Sequence, residues 1–397
     1  MLPGFAWRLM TETHPRLLAR FAYQMGWKGS RSVAHFQKQA KNGVHIPPFL
    51  FISITTRCNL RCQGCWVDVQ GPPRDLDPEV LDRILSDAEA AGCAFFGILG
   101  GEPLLYPRLF EILGRHRSSY FQLFTNGTVI SRETAEEMRR LGNVTPLISL
   151  EGNPVISDVR RGGIHVFDRS LEGLHNCRQA GLVTGVATSL CRSNFDDFVQ
   201  EEHIAHMIEL GVHYLWYYIY RPAGPRPTPE LALSKDQIQY LRSFLVQQRP
   251  KHPILIIDAY WDQDGNALCP AASGISYHIN PFGDIEPCPP IQMSDDHVAD
   301  GREVIAKIRD SNFLRDFRTM ASHRTRGCII MEDPALLRAF AADHNAHDSS
   351  GRGTYFGELE GLRPCPGHHQ PGEAIPETHW LYRIAKKNWF FGFGAYG

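Results

Sequence analysis

Cys58, Cys62 and Cys65 stand in the stretch "TTRCNLRCQGCWVD" with the spacing C-x3-C-x2-C. Three thiolates on one short loop do not complete a structural zinc site, which closes with four ligands, and they do not divide into disulfide pairs. They suit three corners of a 4Fe–4S cubane, whose four irons each want a thiolate or a substitute. The fourth iron would then keep an open position, which a catalytic metal needs and a structural one avoids. A partial zinc site completed elsewhere, or coincidence, is the plainer reading of the triplet taken alone.

Other residues with chemical potential lie further along. Cys269, Cys288, Cys328 and Cys365 occur beyond residue 240, and Cys93, Cys177 and Cys191 before it. Cys93 opens a strand-like run and Cys177 sits mid-helix, so both read as core. Cys191 ends the run "VTGVATSL", where it could give a hydrogen atom or proton to a substrate radical, or simply pack. In "IIDAYWDQDG", Asp258, Tyr260, Asp262 and Asp264 alternate and would point one way if the segment is extended. That face is either solvated or lines a cavity, in which case Asp258 becomes a candidate base.

The elements that must position these groups alternate in type. Residues 1–47 have helical spacing, with Leu17, Leu18, Phe21 and Met25 on one face. "HIPPF" breaks the helix, and "LFISITTRC" reads as a buried strand entering the cysteine loop. "DPEVLDRILSDAEAAG" is a helix capped by Asp77 with Pro78 at its first position, and "SRETAEEMRRLG" one that starts on Ser131. "CAFFGILGG", "YFQLFTNG", "VTPLISLEG", "VTGVATSLC" and "VHYLWYYIY" supply further strands, with helices between them. Strands alternating with helices predict a parallel sheet covered by helices, open or closed as a barrel. The Pro-rich stretch over 221–230 reads as a domain edge, followed by one more helix and short irregular elements.

These motifs together resemble the radical S-adenosylmethionine (radical SAM) superfamily. The C-x3-C-x2-C loop follows the first strand, Gly100–Gly101–Glu102–Pro103 matches the family's GGE motif, "LFTNGT" ends the third strand, and "ISLEGNPVISDVRRG" matches a segment usually read S-x-D-G then D-x-x-R. The resemblance covers about residues 48 to 220 and implies a partial (β/α)6 barrel. It implies SAM chelated by the open iron and cleaved by one electron to methionine and a 5′-deoxyadenosyl radical. It further implies that Gly100, Gly101 and Glu102 address the methionine ammonium, Ser149 and Glu151 the ribose hydroxyls, and Arg161 the methionine carboxylate, with Arg160 as the alternative register. Glu151 stands where Asp is commoner. Gly64 stands where many members carry an aromatic residue against the adenine, a place Trp66 could fill.

Cys269-x13-Gly283-x4-Cys288 resembles the opening of the SPASM and twitch domains, with Pro281–Asp284 as a hairpin turn. The resemblance implies one auxiliary 4Fe–4S cluster with Cys328 and Cys365 as the remaining ligands; the alternatives are buried, unligated cysteines, or His368 or His369 in place of Cys365. The expected organisation is an N-terminal helical extension (1–47), the barrel (48–240), the auxiliary-cluster domain (241–370) and an aromatic, basic tail (371–397). An electron donor such as flavodoxin or ferredoxin is implied as partner.

Composition limits the function classes. A net charge of −2 and 43% hydrophobic residues describe a globular protein with no electrostatic call for nucleic acid. No apolar run reaches the roughly 18 residues of a membrane span, and ten cysteines without a signal sequence point to a reducing, cytoplasmic setting. The leading expectation is an enzyme that abstracts hydrogen from an organic substrate. Relatives with this C-terminal architecture often modify peptides, although residues 1–47 are too short for the leader-binding winged helix many of them carry. A small molecule or lipid is the second substrate class, and a non-catalytic iron–sulfur or zinc sensor the reading outside enzymology. The tail "HWLYRIAKKNWFFGFGAYG" resembles an interfacial anchor, with packing onto the barrel as the simpler account and no firm expectation of membrane contact.

Overall fold

The computed structural model of the chain describes residues 2–388. Parallel strands follow one another across a single sheet in chain order: β1 (Phe49–Ser53), β2 (Phe95–Leu99), β3 (Tyr120–Thr125), β4 (Val144–Ser149), β5 (Gly185–Leu190), β6 (Tyr214–Ile219) and β7 (Leu255–Ile257). The first six are those the sequence marks. Beyond β1 the sheet continues into β8 (His278–Ile279), parallel to β1, and β9 (Ile285–Glu286), antiparallel to β8. Asn280 to Asp284 turn this hairpin, with Gly283 at φ 96°. The hairpin flanked by Cys269 and Cys288 is thus an extension of the barrel sheet.

Three helices precede the sheet, α1 (Leu2–Glu12), α2 (Pro15–Phe21) and α3 (Gly29–Ala40), with a π-helical stretch over Ala22–Lys28. The crossovers are α4 (Pro78–Ala90), α5 (Leu109–Arg115), α6 (Arg132–Leu141), α7 (Pro154–Arg161) with α8 (Val166–Gln179), α9 (Phe195–Phe198) with α10 (Glu201–Glu209), and α11 (Lys235–Gln248). Their starts are chemically marked. The Asp77 carboxylate accepts from the amides of Glu79 and Val80, and the Ser131 hydroxyl from that of Thr134. Residue 240 falls inside α11, which leads into β7, so the barrel runs past the expected boundary.

Both faces of the strands are buried, which is why they read as near-continuous apolar runs. Leu50, Ile52, Phe96, Ile98 and Phe121 pack under the crossover helices. Phe49, Phe95, Tyr120, Leu147 and Trp216 form a second cluster on the opposite face, completed by Met25, Val33 and Phe36 from the N-terminal helices and Tyr382 from a C-terminal helix, Trp380–Asn388. The N-terminal helices close one end of the barrel. Their polar groups bond backbone carbonyls at or near the strand starts: Arg8 to Val212 (3.0 Å) and Pro253 (3.1 Å), Arg20 to Leu141 (2.8 Å), Lys28 to Ser118 (2.8 Å) and Ser32 to Gly92 (2.9 Å). Among the described residues no helix is long and apolar enough to cross a membrane.

Candidate active site

The three clustered cysteines follow β1 at the opposite end of the barrel. Cys58, Cys62 and Cys65 line a cavity of about 400 Å³, together with Gly100, Gly101, Ser149, Glu151 and Arg161 from the ends of β2, β4 and α7. The two glycines are required by the cysteine loop itself. A Cβ on Gly101 would lie 2.2 Å from the Arg57 carbonyl oxygen, and one on Gly100 2.7 Å from that of Thr55. The amides of Gly101 and Glu102 bond those same two carbonyls, at 2.7 Å each, fastening the loop to the end of β2.

Glu102 has a different place from the one the resemblance implies. Its carboxylate is fully buried and turned into the fold, accepting from the Thr125 hydroxyl (2.8 Å), the Asn126 amide (2.8 Å) and the Leu104 amide (3.2 Å). Burial pushes its pKa up to about 7 against these bonds. It ties the ends of β2 and β3 together without lining the cavity.

Arg161 does face the cavity, and its guanidinium bridges a carboxylate and a cysteine sulfur. It pairs with Glu151 and donates to the Cys62 sulfur at 3.7 Å. Burial works against its charge, but Glu151 and the Cys62 thiol hold it protonated. The second Glu151 oxygen accepts from Asn194 at 3.2 Å. Arg160, the alternative register, stacks on Tyr220 at 5.2 Å and donates to the Gln63 carbonyl. Tyr220 also explains Gly64: a Cβ there would lie 2.0 Å from the Tyr220 hydroxyl. Tyr220, at the end of β6, thus occupies the space a side chain at position 64 would need. Trp66 lines the cavity too, edge-on to His278 at 5.6 Å.

Cys269, Cys288 and Cys328 form another part of the same cavity wall. Cys365 does not line the cavity; its amide donates to the Met331 carbonyl at 2.8 Å, and burial pushes its thiol up to about 11. Arg221, just beyond β6, donates to the Cys328 sulfur at 3.0 Å and lies 5.4 Å over the Tyr260 ring. Burial opposes its charge, yet Tyr260, Cys328 and Cys288 hold its pKa above the ordinary value. His368 lines the cavity but is held by the Leu268 carbonyl (2.8 Å), and His369 lies by Thr325 (3.3 Å).

Two sets of cysteines, Cys58, Cys62 and Cys65 on one side and Cys269, Cys288 and Cys328 on the other, therefore line one chamber. Among the described residues no three His, Cys, Asp or Glu side chains converge on a point that would hold a single ion.

Two candidate catalytic groups are displaced from the chamber. Cys191 is fully buried, 3.2 Å from the Ser193 hydroxyl, and does not line the cavity, so packing accounts for it. Asp258 is also fully buried and does not line the cavity. It pairs with Arg249, with Lys386 at 3.1 Å and with Arg242 at 3.5 Å. Burial alone would raise its pKa, but Lys386, Arg249 and Arg242 together hold it far below the usual carboxylate range. The alternation that suggested it depends on an extended strand, and β7 ends at Ile257. Asp262 to Asn266 then turn, with the Asp262 amide bonded to the Asn266 carbonyl at 2.9 Å. The four polar residues share no face.

Asn194, Tyr220 and Arg221 escaped the sequence reading. Tyr220 and Arg221 directly follow β6, and the C-terminal ends of barrel strands are where such folds place function. That position was the available signal.

Comparison with known proteins agrees with this geometry. Residues 52–210 match the family model described as the radical SAM superfamily. Fe-coproporphyrin III synthase of Methanosarcina barkeri is 26% identical over 231 residues, covering 54% of this chain and 56% of the relative. PqqA peptide cyclase of Streptomyces rochei is 26% identical over 265 residues, covering 63% and 71%. The match spans about half the length of the first curated relatives. Streptococcus suis SuiB bound to its precursor peptide SuiA superimposes with a TM-score of 0.60 at 17% identity, covering 72% of this chain and 70% of that one. SuiB bound to S-adenosylmethionine gives 0.59 at 18%, covering 74% and 72%. This structural likeness is one of fold.

Proposed function

For a chain whose residues 52–210 belong to the radical SAM superfamily, we propose that it is an enzyme that reductively cleaves S-adenosylmethionine and abstracts hydrogen from an organic substrate. The observation that carries the reading is the meeting of Cys58, Cys62, Cys65, Ser149, Glu151 and Arg161 on one cavity. A 4Fe–4S cluster with an open iron, when bound, supplies the electron that splits SAM into methionine and the 5′-deoxyadenosyl radical.

The chain's own residues do the holding and orienting. Cys58, Cys62 and Cys65 would ligate the cluster. Arg161, fixed by Glu151, offers a charge-assisted donor to a carboxylate, and Glu151 and Ser149 offer acceptors to hydroxyls. Gly100 and Gly101 keep the backbone close to the loop without a side chain intervening. Cys269, Cys288, Cys328 and Cys365 are the proposed ligands of an auxiliary 4Fe–4S cluster, with Arg221 balancing the charge on its sulfurs. A flavodoxin- or ferredoxin-like donor would supply the electrons.

A peptide is the leading substrate class, supported by SuiB and PqqA peptide cyclase. The cavity walls favour a second reading, an apolar small molecule. Phe49, Phe51, Phe95, Phe124 and Trp216 line the cavity as far as the starts of β1 and β2, and one relative is a coproporphyrin-handling enzyme. Anaerobic, reduced protein with SAM should yield 5′-deoxyadenosine and methionine. S-adenosylhomocysteine as the sole product would instead identify methyl transfer and overturn the reading.

A further inference from the structure

The end of the barrel away from the cysteines is aromatic and basic. Arg8 and Gln24 use their polar groups on carbonyls of the barrel, and Leu17 and Met25 enter its cores, while other side chains of the same helices face outward. Trp7 is 64% exposed, Trp27 60%, and Met10 and Tyr23 are exposed beside them. The C-terminal helix Trp380–Asn388 buries Tyr382 and Lys386, which leaves Trp380 60% exposed and Ile384 open. It joins this end through the Gln37 amide, which donates to the Lys387 carbonyl at 3.0 Å. Single exposed apolar side chains are ordinary. A concentration of tryptophans at one end is not.

Charge is concentrated there too. Residues 1–47 carry seven Lys and Arg against the single acid Glu12, in a chain of net charge −2. Glu12 is already paired with Arg8. Lys28 lies 5.8 Å from the Tyr23 ring and Arg31 6.0 Å from the Trp27 ring, so cations and aromatics interleave. The structure describes the C-terminal helix to Asn388 at this end, and the aromatic tail residues Trp389, Phe390, Phe391 and Phe393 lie outside the described residues.

We infer that this basal face docks on the surface of an anionic lipid bilayer. Trp7, Tyr23, Trp27 and Trp380 sit at headgroup level, and Arg31, Lys38, Lys41 and Lys387 meet the negative lipids. Rings with an apolar body and a polar edge, flanked by cations, are the composition that partitions into the interface. A second copy of the chain would bring cations against cations. The bilayer supplies both the opposite charge and an apolar layer. Both cysteine sets follow the other ends of the strands, with Cys58, Cys62 and Cys65 in the loop after β1.

The test uses the full-length, iron-loaded protein in flotation with vesicles of phosphatidylcholine alone and of phosphatidylcholine mixed with phosphatidylglycerol. Binding is expected to the mixed vesicles and to weaken with salt. Arg31→Ala and Lys38→Ala should each lower the partition coefficient about fivefold, and the Trp7→Ser/Trp27→Ser pair about tenfold or more. Val155→Ser and Val159→Ser, exposed on α7 at the other end, should leave it unchanged. Iron content and circular dichroism verify folding of each variant. Equal or absent binding to both vesicle types overturns the inference, as does binding insensitive to the basal variants. A lipid-independent dimer lost in Trp27→Ser, without anionic vesicle binding, would assign the face to a second copy instead.

Discussion

At the scale of single residues, charged side chains do opposite work depending on what surrounds them. Arg161 reaches toward the cavity with its charge anchored by Glu151, leaving capacity for a ligand. Arg161→Gln should reduce SAM affinity about ten- to a hundredfold, the worth of one charge-assisted bond of roughly 1.5–3 kcal/mol. Anaerobic equilibrium dialysis would measure it, with iron content unchanged because no thiolate is removed. Asp258 is committed inward, enclosed by Arg249, Arg242 and Lys386. Asp258→Asn should therefore cost stability, roughly 3–5 kcal/mol for breaking a buried charge cluster. Its effect should appear in the denaturation midpoint. The pH profile of turnover by the folded fraction should not move, whereas loss of a catalytic base would flatten one limb of it.

At the scale of elements, strands β1 to β6 and the capped helices were legible because their signals are local. Buried parallel strands are short apolar runs, and Asp77–Pro78 or Ser131 mark helix starts whatever the tertiary context. The cysteine loop was legible for the same reason, since its ligands sit within a few residues. What was not legible depends on partners distant in sequence. Glu102 turns inward because Thr125 and Asn126 stand on the next strand, and the direction of Asp258 depends on Lys386, more than a hundred residues away. The closure of the barrel end by α1 to α3 is of this kind, and it contains a titratable joint. His213, just before β6, is buried against Thr13 (3.4 Å) and accepts from the Thr184 amide at 3.2 Å, with Arg8, Glu12 and Arg178 around it. Burial, helped by Arg8, lowers its pKa to about 4 from the usual 6.5. The unfolded chain therefore binds the extra proton first as pH falls, and stability drops between about pH 6.5 and pH 4. By pH 5 the loss from this residue should approach about 2 kcal/mol. Limited proteolysis should cut within residues 1–47 faster at pH 5 than at pH 7. In His213→Phe, which cannot take up the proton, that pH dependence should shrink.

At the scale of the whole molecule, the chamber belongs to neither half of the chain alone. Cys58, Cys62 and Cys65 come from the loop after the first barrel strand, while Cys269, Cys288 and Cys328 come from the segment that returns to extend the same sheet through β8. The region beyond β7 has short strands and irregular connections. Such a region gains much of its folding free energy from metal ligation when a cluster is present. The expected composition after reconstitution is about eight irons per chain, as two cubanes. Replacing Cys58, Cys62 and Cys65 together by Ala should leave about four irons and a brown, folded protein, because the thiols around Cys328 are untouched. Replacing Cys269 and Cys288 by Ala should also leave about four irons but loosen residues beyond 258 to protease, since the hairpin then loses the cluster that holds it. Arg221 refines the test. Its bond to the Cys328 sulfur favours the more negatively charged, reduced state of a cluster bound there. Arg221→Gln should then lower the potential of the auxiliary cluster, read by a spectroscopic redox titration of the Cys58/Cys62/Cys65 triple variant, where no other cluster contributes. A triple variant that purifies without iron would leave one cluster in the molecule and remove the auxiliary site from the chamber.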